Sequence, residues 1–211
     1  MGDMATKSKR AKTKHILVLR TCAKDMTSYG GFVWPKKGRV KATDWKPTYS
    51  CGDGLHGLPW GVGGGGYIDW SPDAVWLVVR VDEKNLLHGK GELTDKCKFS
   101  EGEVVFCGDR TGATNYLMLN GGAGKPIVGA ISTAGYMGQA TAGYRGQATA
   151  GDMGQATAGY MGQATAGYMG QATAGDMGQA TAGDKGQATA GDMGQATAGD
   201  RGQATAGDRG Q

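Results

Sequence analysis

Gly135-Tyr136-Met137-Gly138-Gln139-Ala140-Thr141-Ala142 opens a run that continues to Gln211 with almost no variation. The octad Gly-(Tyr/Asp)-x-Gly-Gln-Ala-Thr-Ala is written nine times, to Ala206, and Gly207-Asp208-Arg209-Gly210-Gln211 begins a tenth. A fixed period of this kind dictates architecture. The unit holds no Leu, Ile, Val or Phe, so no helix built from it has an apolar face. Each glycine also opposes a helix by about 1 kcal/mol. Gln-Ala-Thr-Ala alternates at period two, as a short strand does. Gly-(Tyr/Asp)-x-Gly is turn chemistry, its glycines supplying positive φ. Strand plus turn every eight residues predicts a β-solenoid in which two octads close one flattened coil.

With Ala140 and Ala142 pointing inward, Gln139 and Thr141 point outward, and the interior is made of methyl groups alone. Stacking at about 4.8 Å per coil turns each outward position into a ladder. The residues expected to bind are therefore Thr141, Thr149, Thr157 and Thr165, with Tyr136, Tyr144, Tyr160 and Tyr168 at the turns. The x position holds only Met, Arg or Lys and is expected to face solvent. The aspartates that replace tyrosine are not an obligate metal site, because tyrosine fills the same position in four units. The octad resembles the repeat of bacterial ice-nucleation proteins, Ala-Gly-Tyr-Gly-Ser-Thr-x-Thr. Ala142-Gly143-Tyr144 and Thr149 match it, while Gln147 replaces the first threonine of the Thr-x-Thr pair. The resemblance implies a sixteen-residue coil and an ice-binding or ice-nucleating surface.

All five tryptophans and all three phenylalanines lie before the octads, so only that part can form an ordinary core. The array carries a net charge of −2 and the remainder +6, which together make the overall +4. Lys7, Lys9, Arg10, Lys12 and Lys14 predict a basic, disordered tail over residues 1 to 14, a solubilising terminus whose charge also suits nucleic acid or an anionic surface. No apolar run is long enough to span a membrane and no leader pattern is present, so a cytoplasmic location with reduced thiols is expected. Cys22, Cys51, Cys97 and Cys107 are widely spaced, and no metal site is expected.

Residues 15 to 126 read as a small α+β domain. His15-Ile-Leu-Val-Leu-Arg20, apolar on both faces, predicts a central strand, and Val75 to Asp82 and Glu103 to Cys107 predict two more. Phe32-Val33-Trp34 and Gly38-Arg39-Val40 suggest strands around Pro35-Lys36-Lys37. Ala113 to Leu119 forms a short helix or strand, and Cys51 to Gly66 reads as irregular, mobile backbone. Residues 127 to 134 are the junction to the solenoid, residues 135 to 211, and Ile127, Val128 and Ile131 are suited to plug its first coil. The domain, with Cys51-Gly52-Asp53-Gly54-Leu55-His56, is similar to that of uncharacterised bacterial and phage proteins whose Cys-x-x-Gly-Leu/Phe-His segment precedes degenerate Gly-Tyr/Asp repeats. The expected fold is mostly β, an α+β cap on a β-solenoid.

Arg20 ends the first strand and Glu101-Gly102-Glu103 opens a late one. That pairing is similar to ADP-ribosyltransferases, in which the arginine holds dinucleotide phosphates and the second glutamate stabilises the ribosyl cation. The resemblance implies NAD as cofactor, with His56 or Tyr67 on the nicotinamide side. The family's middle Ser-Thr-Ser is absent. The plainer reading is a solvated carboxylate pair with a structural arginine, and with it a non-enzymatic scaffold, without cofactor, that binds or self-associates through the solenoid's end or face. The octads end midway through a unit, so an unpaired Gln203-to-Ala206 edge is expected to pair two copies tail to tail.

Overall fold

The computed structural model describes residues 14–211, so the basic tail, apart from Lys14, lies outside the described residues. The first part is a seven-stranded sheet. In chain order its strands are β1 (His15–Cys22), β2 (Gly38–Lys41), β3 (Leu55–Pro59), β4 (Val75–Asp82), β5 (Leu86–His88), β6 (Cys97–Phe99) and β7 (Glu101–Gly108). One helix follows, α1 (Arg110–Leu117), capped by Asp109 accepting from the Gly112 N–H. The spatial order is β2-β7-β4-β1-β3-β6-β5. β1 is central, as its two apolar faces require, and pairs along its whole length with β4. One face packs Val18, Cys22, Trp34, Leu77, Val79 and Phe99. The other packs Leu19, Leu58, Trp76 and Val78 against α1 through Ala113 and Leu117.

Two local expectations fail here. Leu55–Pro59 is a strand of the sheet, not irregular backbone. Its glycine misleads: a Cβ on Gly57 would stand 2.4 Å from Val18 Cγ1 and 2.6 Å from the Leu19 carbonyl, so Gly57 is there for close packing against β1. Phe32-Val33-Trp34, in contrast, forms no strand, only an isolated bridge between Thr27 and Val33.

The octads form ten four-residue strands, from β8 (Ile131–Ala134), β9 (Gln139–Ala142) and β10 (Gln147–Ala150) at eight-residue steps to β17 (Gln203–Ala206). Even-numbered strands make one parallel sheet and odd-numbered strands the other. Every residue pairs with the one sixteen positions on, for example Thr149 with Thr165 and Thr157 with Thr173. Two octads therefore close each of five coils. The alanines of both sheets meet in a core, 1–3 % exposed from Ala140 to Ala190.

The turns differ from the expectation. It is x, not glycine, that takes the left-handed conformation, with φ between 50° and 58° from Met137 to Arg209. The second glycine of each octad serves a different need. A Cβ on Gly154 would sit 2.8 Å from the Ala150 methyl and 2.9 Å from the Gly138 and Gly151 carbonyls. Left-handed x turns the middle peptide of the loop along the stacking axis, as in a type II turn. The Met137 N–H then donates to the Asp152 carbonyl of the next coil at 2.9 Å, and Arg145 to Tyr160 at 3.0 Å.

The same geometry reveals a concealed octad. In residues 127–134, Gly129 occupies x with φ 71°. Its N–H donates to the Tyr144 carbonyl (2.8 Å), Ala130 closes the turn onto Ile127 (3.2 Å), and Gln147 donates to the Ala130 carbonyl (2.8 Å). Ile127 and Val128 are buried where the repeat has Gly and Tyr/Asp, which seats the first half-coil against the sheet domain. Ile131 is 41 % exposed and is not part of that plug.

Candidate functional site

Two surfaces bring chemistry together: the outer faces of the solenoid and a cleft in the sheet domain. On each solenoid face a row of glutamines runs beside a row of threonines. The amides link along the axis, Gln139 Nε2 donating to Gln155 Oε1 (3.3 Å) and Gln147 to Gln163 (3.2 Å). Gln163 and Gln179 continue the chain on the second face, and each of them uses one donor and one acceptor this way and keeps the others for water. Consecutive octads fall on opposite sheets, so Thr141 and Thr157 stand on one face and Thr149 and Thr165 on the other.

The tyrosines divide in the same way between the two turn edges. Tyr144 and Tyr160 stack at 5.4 Å, and Trp70 of the sheet domain packs on Tyr144 at 5.7 Å, tilted by 33°. Tyr136 and Tyr168 lie on the opposite edge with Asp152 between them. There the aspartates have a backbone role: Asp152 Oδ1 accepts from the Tyr168 N–H (2.9 Å), and Asp176 from Asp192 (3.1 Å) on the other edge. Among the described residues no group of three His, Cys, Asp or Glu side chains converges to hold a metal. The division into two faces and two edges was open to sequence reasoning through the sixteen-residue coil, but a single list of ladder positions conceals it.

In the sheet domain, Arg20 and His56 come together and the glutamates do not join them. Arg20 points to the face that holds Trp34, its guanidinium 5.1 Å from that ring, and its Nη1 donates to the His56 carbonyl at 2.8 Å. Glu101 and Glu103 lie on the opposite face, held by Arg39 (2.7 Å) and Arg80. The four residues thus occupy two sites. Burial lowers the Arg20 pKa. Burial, with Lys96, Arg20 and Lys98 nearby, brings His56 down to about 4, so its imidazole is neutral at neutral pH. The Arg39 hydrogen bond holds Glu101 below the usual carboxylate range. Burial raises the Cys22 and Cys97 thiols to about 11 and about 12. Lys96 and Lys98 were missed as site residues. Neither carried any expectation, and they are 8 % and 0 % exposed; the signal was Lys-Cys-Lys-Phe, an alternation in which both parities are buried.

No family model matches the chain, and no solved structure matches it. Curated relatives do, and all of those found are ice nucleation proteins. That of Pseudomonas fluorescens is 38 % identical over 109 residues, 52 % of this chain and 9 % of the relative. That of Xanthomonas campestris pv. translucens is 39 % identical over 117 residues, 54 % of this chain and 7 % of the relative. Ice nucleation protein InaU of Pantoea ananas is 36 % identical over 107 residues, 51 % and 10 % of the two chains. The chain spans a tenth or less of the length of these relatives, and the resemblance read from the octads is theirs. The same relatives overturn the cytoplasmic expectation. A protein named for nucleating ice faces the water that freezes, and the expectation rested only on a missing span and leader. No helix of the described residues is long and apolar enough to cross a membrane.

Proposed function

We propose that the chain is a non-enzymatic, ice-nucleating solenoid segment on a globular cap. The observation that carries this is the regular outer lattice: threonine and glutamine rows on a backbone fixed by hydrogen bonds between every pair of coils. Hydroxyls recur at about 4.8 Å along the axis, with glutamine amides about 7 Å away along the strand. An ordered array of donors, acceptors and methyl groups holds first-layer water in fixed positions, and a rigid support means little order is lost when that layer freezes. The glutamine row takes the place of the missing threonines as a second file of polar groups, internally linked from Gln147 to Gln195. Thr141, Thr149, Thr157 and Thr165 are then water-ordering residues divided between two faces. The tyrosines belong to the edges. This reading takes no cofactor. The NAD-dependent alternative gains no support from Arg20 and Glu103, which lie on opposite faces of the sheet.

Five coils extend only about 20 Å, so one copy is a small template, and side-by-side or end-to-end copies enlarge it. Homo-oligomers through the solenoid are therefore part of the proposal. Droplet freezing tests it. The full chain should freeze water droplets at a higher median temperature than buffer. Replacing Thr141, Thr157, Thr173, Thr189 and Thr205 together by Lys should lower that temperature with the coil fold intact by circular dichroism. Freezing at the buffer temperature, or nucleation by the lysine variant and by its counterpart on the other face as strong as that of the unsubstituted chain, would overturn it.

A further inference from the structure

The cleft beside Arg20 and His56 is not used by the solenoid's chemistry. Its volume is about 760 Å³, within the range of small-molecule sites. Its inner end collects positive charge without a matching carboxylate. Behind the lining, Lys98, paired across the strands with His56 and wholly buried, donates only to Thr48 Oγ1 (3.1 Å) and the Ser50 carbonyl (3.0 Å). Lys96 Nζ lies 2.9 Å from Cys51 Sγ and 4.6 Å from the Tyr67 ring. Arg20 has the His56 carbonyl and the face of Trp34. None of the ion pairs among the described residues involves Arg20, Lys96 or Lys98; the one that reaches the cleft joins Lys46 to Asp53. Buried charges in proteins are paired or bound to a counter-ion, because desolvating them alone is costly. Two buried nitrogens at this end, Arg20 Nε and His56 Nε2, also have no hydrogen-bond partner, and such atoms are rare.

The rim points to the rest of the ligand. Tyr29 is fully exposed and Val33 63 % exposed, on a loop that turns through two left-handed glycines, Gly30 and Gly31. Phe32, Trp34 and Tyr67 supply aromatic wall. Asp44 and Asp53 also line the cleft, Asp53 engaged with Lys46 at 3.2 Å, so the site opposes a highly charged anion. We infer that this cleft binds a small organic anion, a planar ring carrying one carboxylate or phosphate, with the oxyanion against Arg20 and Lys96 and the ring against the Trp34–Tyr67 wall. Neutral His56 has one donor and one acceptor nitrogen, which suits a hydroxyl beside the anion. The rim loop has to shift for the ligand to reach Arg20 Nε and His56 Nε2, since both are shut from solvent.

Titration of the full chain with salicylate, phenyl phosphate and inorganic phosphate, at fixed ionic strength, tests this through tryptophan fluorescence and melting temperature. At least one ring anion should bind saturably and raise the melting temperature, and the carboxylate and phosphate arms show which oxyanion is preferred. Inorganic phosphate and uncharged phenol should each bind about tenfold weaker or not at all, having lost the ring or the charge. Lys96→Met and Arg20→Gln should each weaken binding by about tenfold or more. Lys96→Met keeps the apolar stem, and its unliganded melting curve shows whether it folds. If Arg20→Gln does not fold, Lys96→Met decides. No saturable binding of either ring anion, phenol binding as well as they do, or undiminished binding by folded Lys96→Met would overturn the inference.

Discussion

The sheet domain and the solenoid bury their interiors in opposite ways. The first encloses Trp34, Phe99, Leu19, Leu77 and other large side chains in two layers around one sheet. The second encloses fourteen buried alanines and nothing larger. A buried leucine carries roughly 2 kcal/mol of transfer free energy and an alanine methyl less than half of that. The solenoid compensates with repetition: every strand and every turn is bonded to the next coil. Each coil depends on its neighbours, as in other one-dimensional arrays. One region is therefore sensitive to lost volume and the other to added volume.

The largest effect tests the first half of that contrast. Leu77, fully buried on the central strands, should cost about 2–5 kcal/mol when truncated to Ala, read by chemical denaturation of tryptophan fluorescence. The solenoid's β signal should melt separately and later. If both transitions move together, the two regions form one cooperative unit and the contrast fails.

Next is Ala164→Leu in the solenoid interior, where Ala164 is 1 % exposed. Overpacking costs about 1–3 kcal/mol, sometimes more. Thr157→Val, on the outer face, should change stability by less than about 0.5 kcal/mol. Equal tolerance of the two would contradict the inward and outward assignment.

The array was legible in sequence because one rule is written out nine times in full. Period, facing and coil length follow from Gln-Ala-Thr-Ala and its two glycines. What was not legible there is which residue of the turn bears positive φ. That depends on the direction of the middle peptide, which stacking sets and local sequence does not. Residues 127–134 were hidden for a related reason: Ile127 and Val128 obey the sheet domain's packing while their backbone obeys the solenoid's bonds. In the sheet domain the long apolar strands were readable. Gly57 looked like a breaker because its close approach to β1 is a tertiary fact, and the burial of Lys96 and Lys98 left only a short trace in Lys-Cys-Lys-Phe, because what covers a lysine is set by distant residues. Arg20 and Glu103 were each placed correctly on strands, but sequence spacing alone does not fix the sheet face once a bulge intervenes, as it does between Val78 and Val79 opposite β7.

A pH titration separates the two regions without mutation. His56 is held at about 4 in the folded domain against an ordinary 6.5. Between those values the unfolded chain takes up a proton that the folded domain does not. Stability from this source is complete above pH 6.5 and is lost as pH falls toward 4. Discounted for the partial exposure of the ring, the loss is about 1–2 kcal/mol. The tryptophan transition should fall by several degrees over that window, and His56→Gln should remove most of the dependence. A pH-independent melting temperature in the unsubstituted chain would show that His56 is freely protonated when folded.

The smallest effect concerns the turns and should stabilise. Ten x residues, Met137 to Arg209, sit in the left-handed region, where a side chain costs about 1–2 kcal/mol. None is β-branched, the class least able to adopt that φ. Met161→Gly removes the strain but frees the unfolded chain, which returns about 0.5–1 kcal/mol. It also deletes the 3.9 Å contact between Tyr144 Oη and Met161 Sδ, a weak one. The net should be a gain of a few tenths of a kcal/mol. Asn tolerates the same φ with less unfolded-state entropy and should gain slightly more, while Met161→Val should lose about 1 kcal/mol or more. The order Asn, Gly, Met, Val in solenoid melting temperature is the expected result. If Val melts with Met, the turns are not left-handed at x, and the axial bond from Met161 N–H to the Asp176 carbonyl, 2.9 Å, is not what fixes the coil spacing.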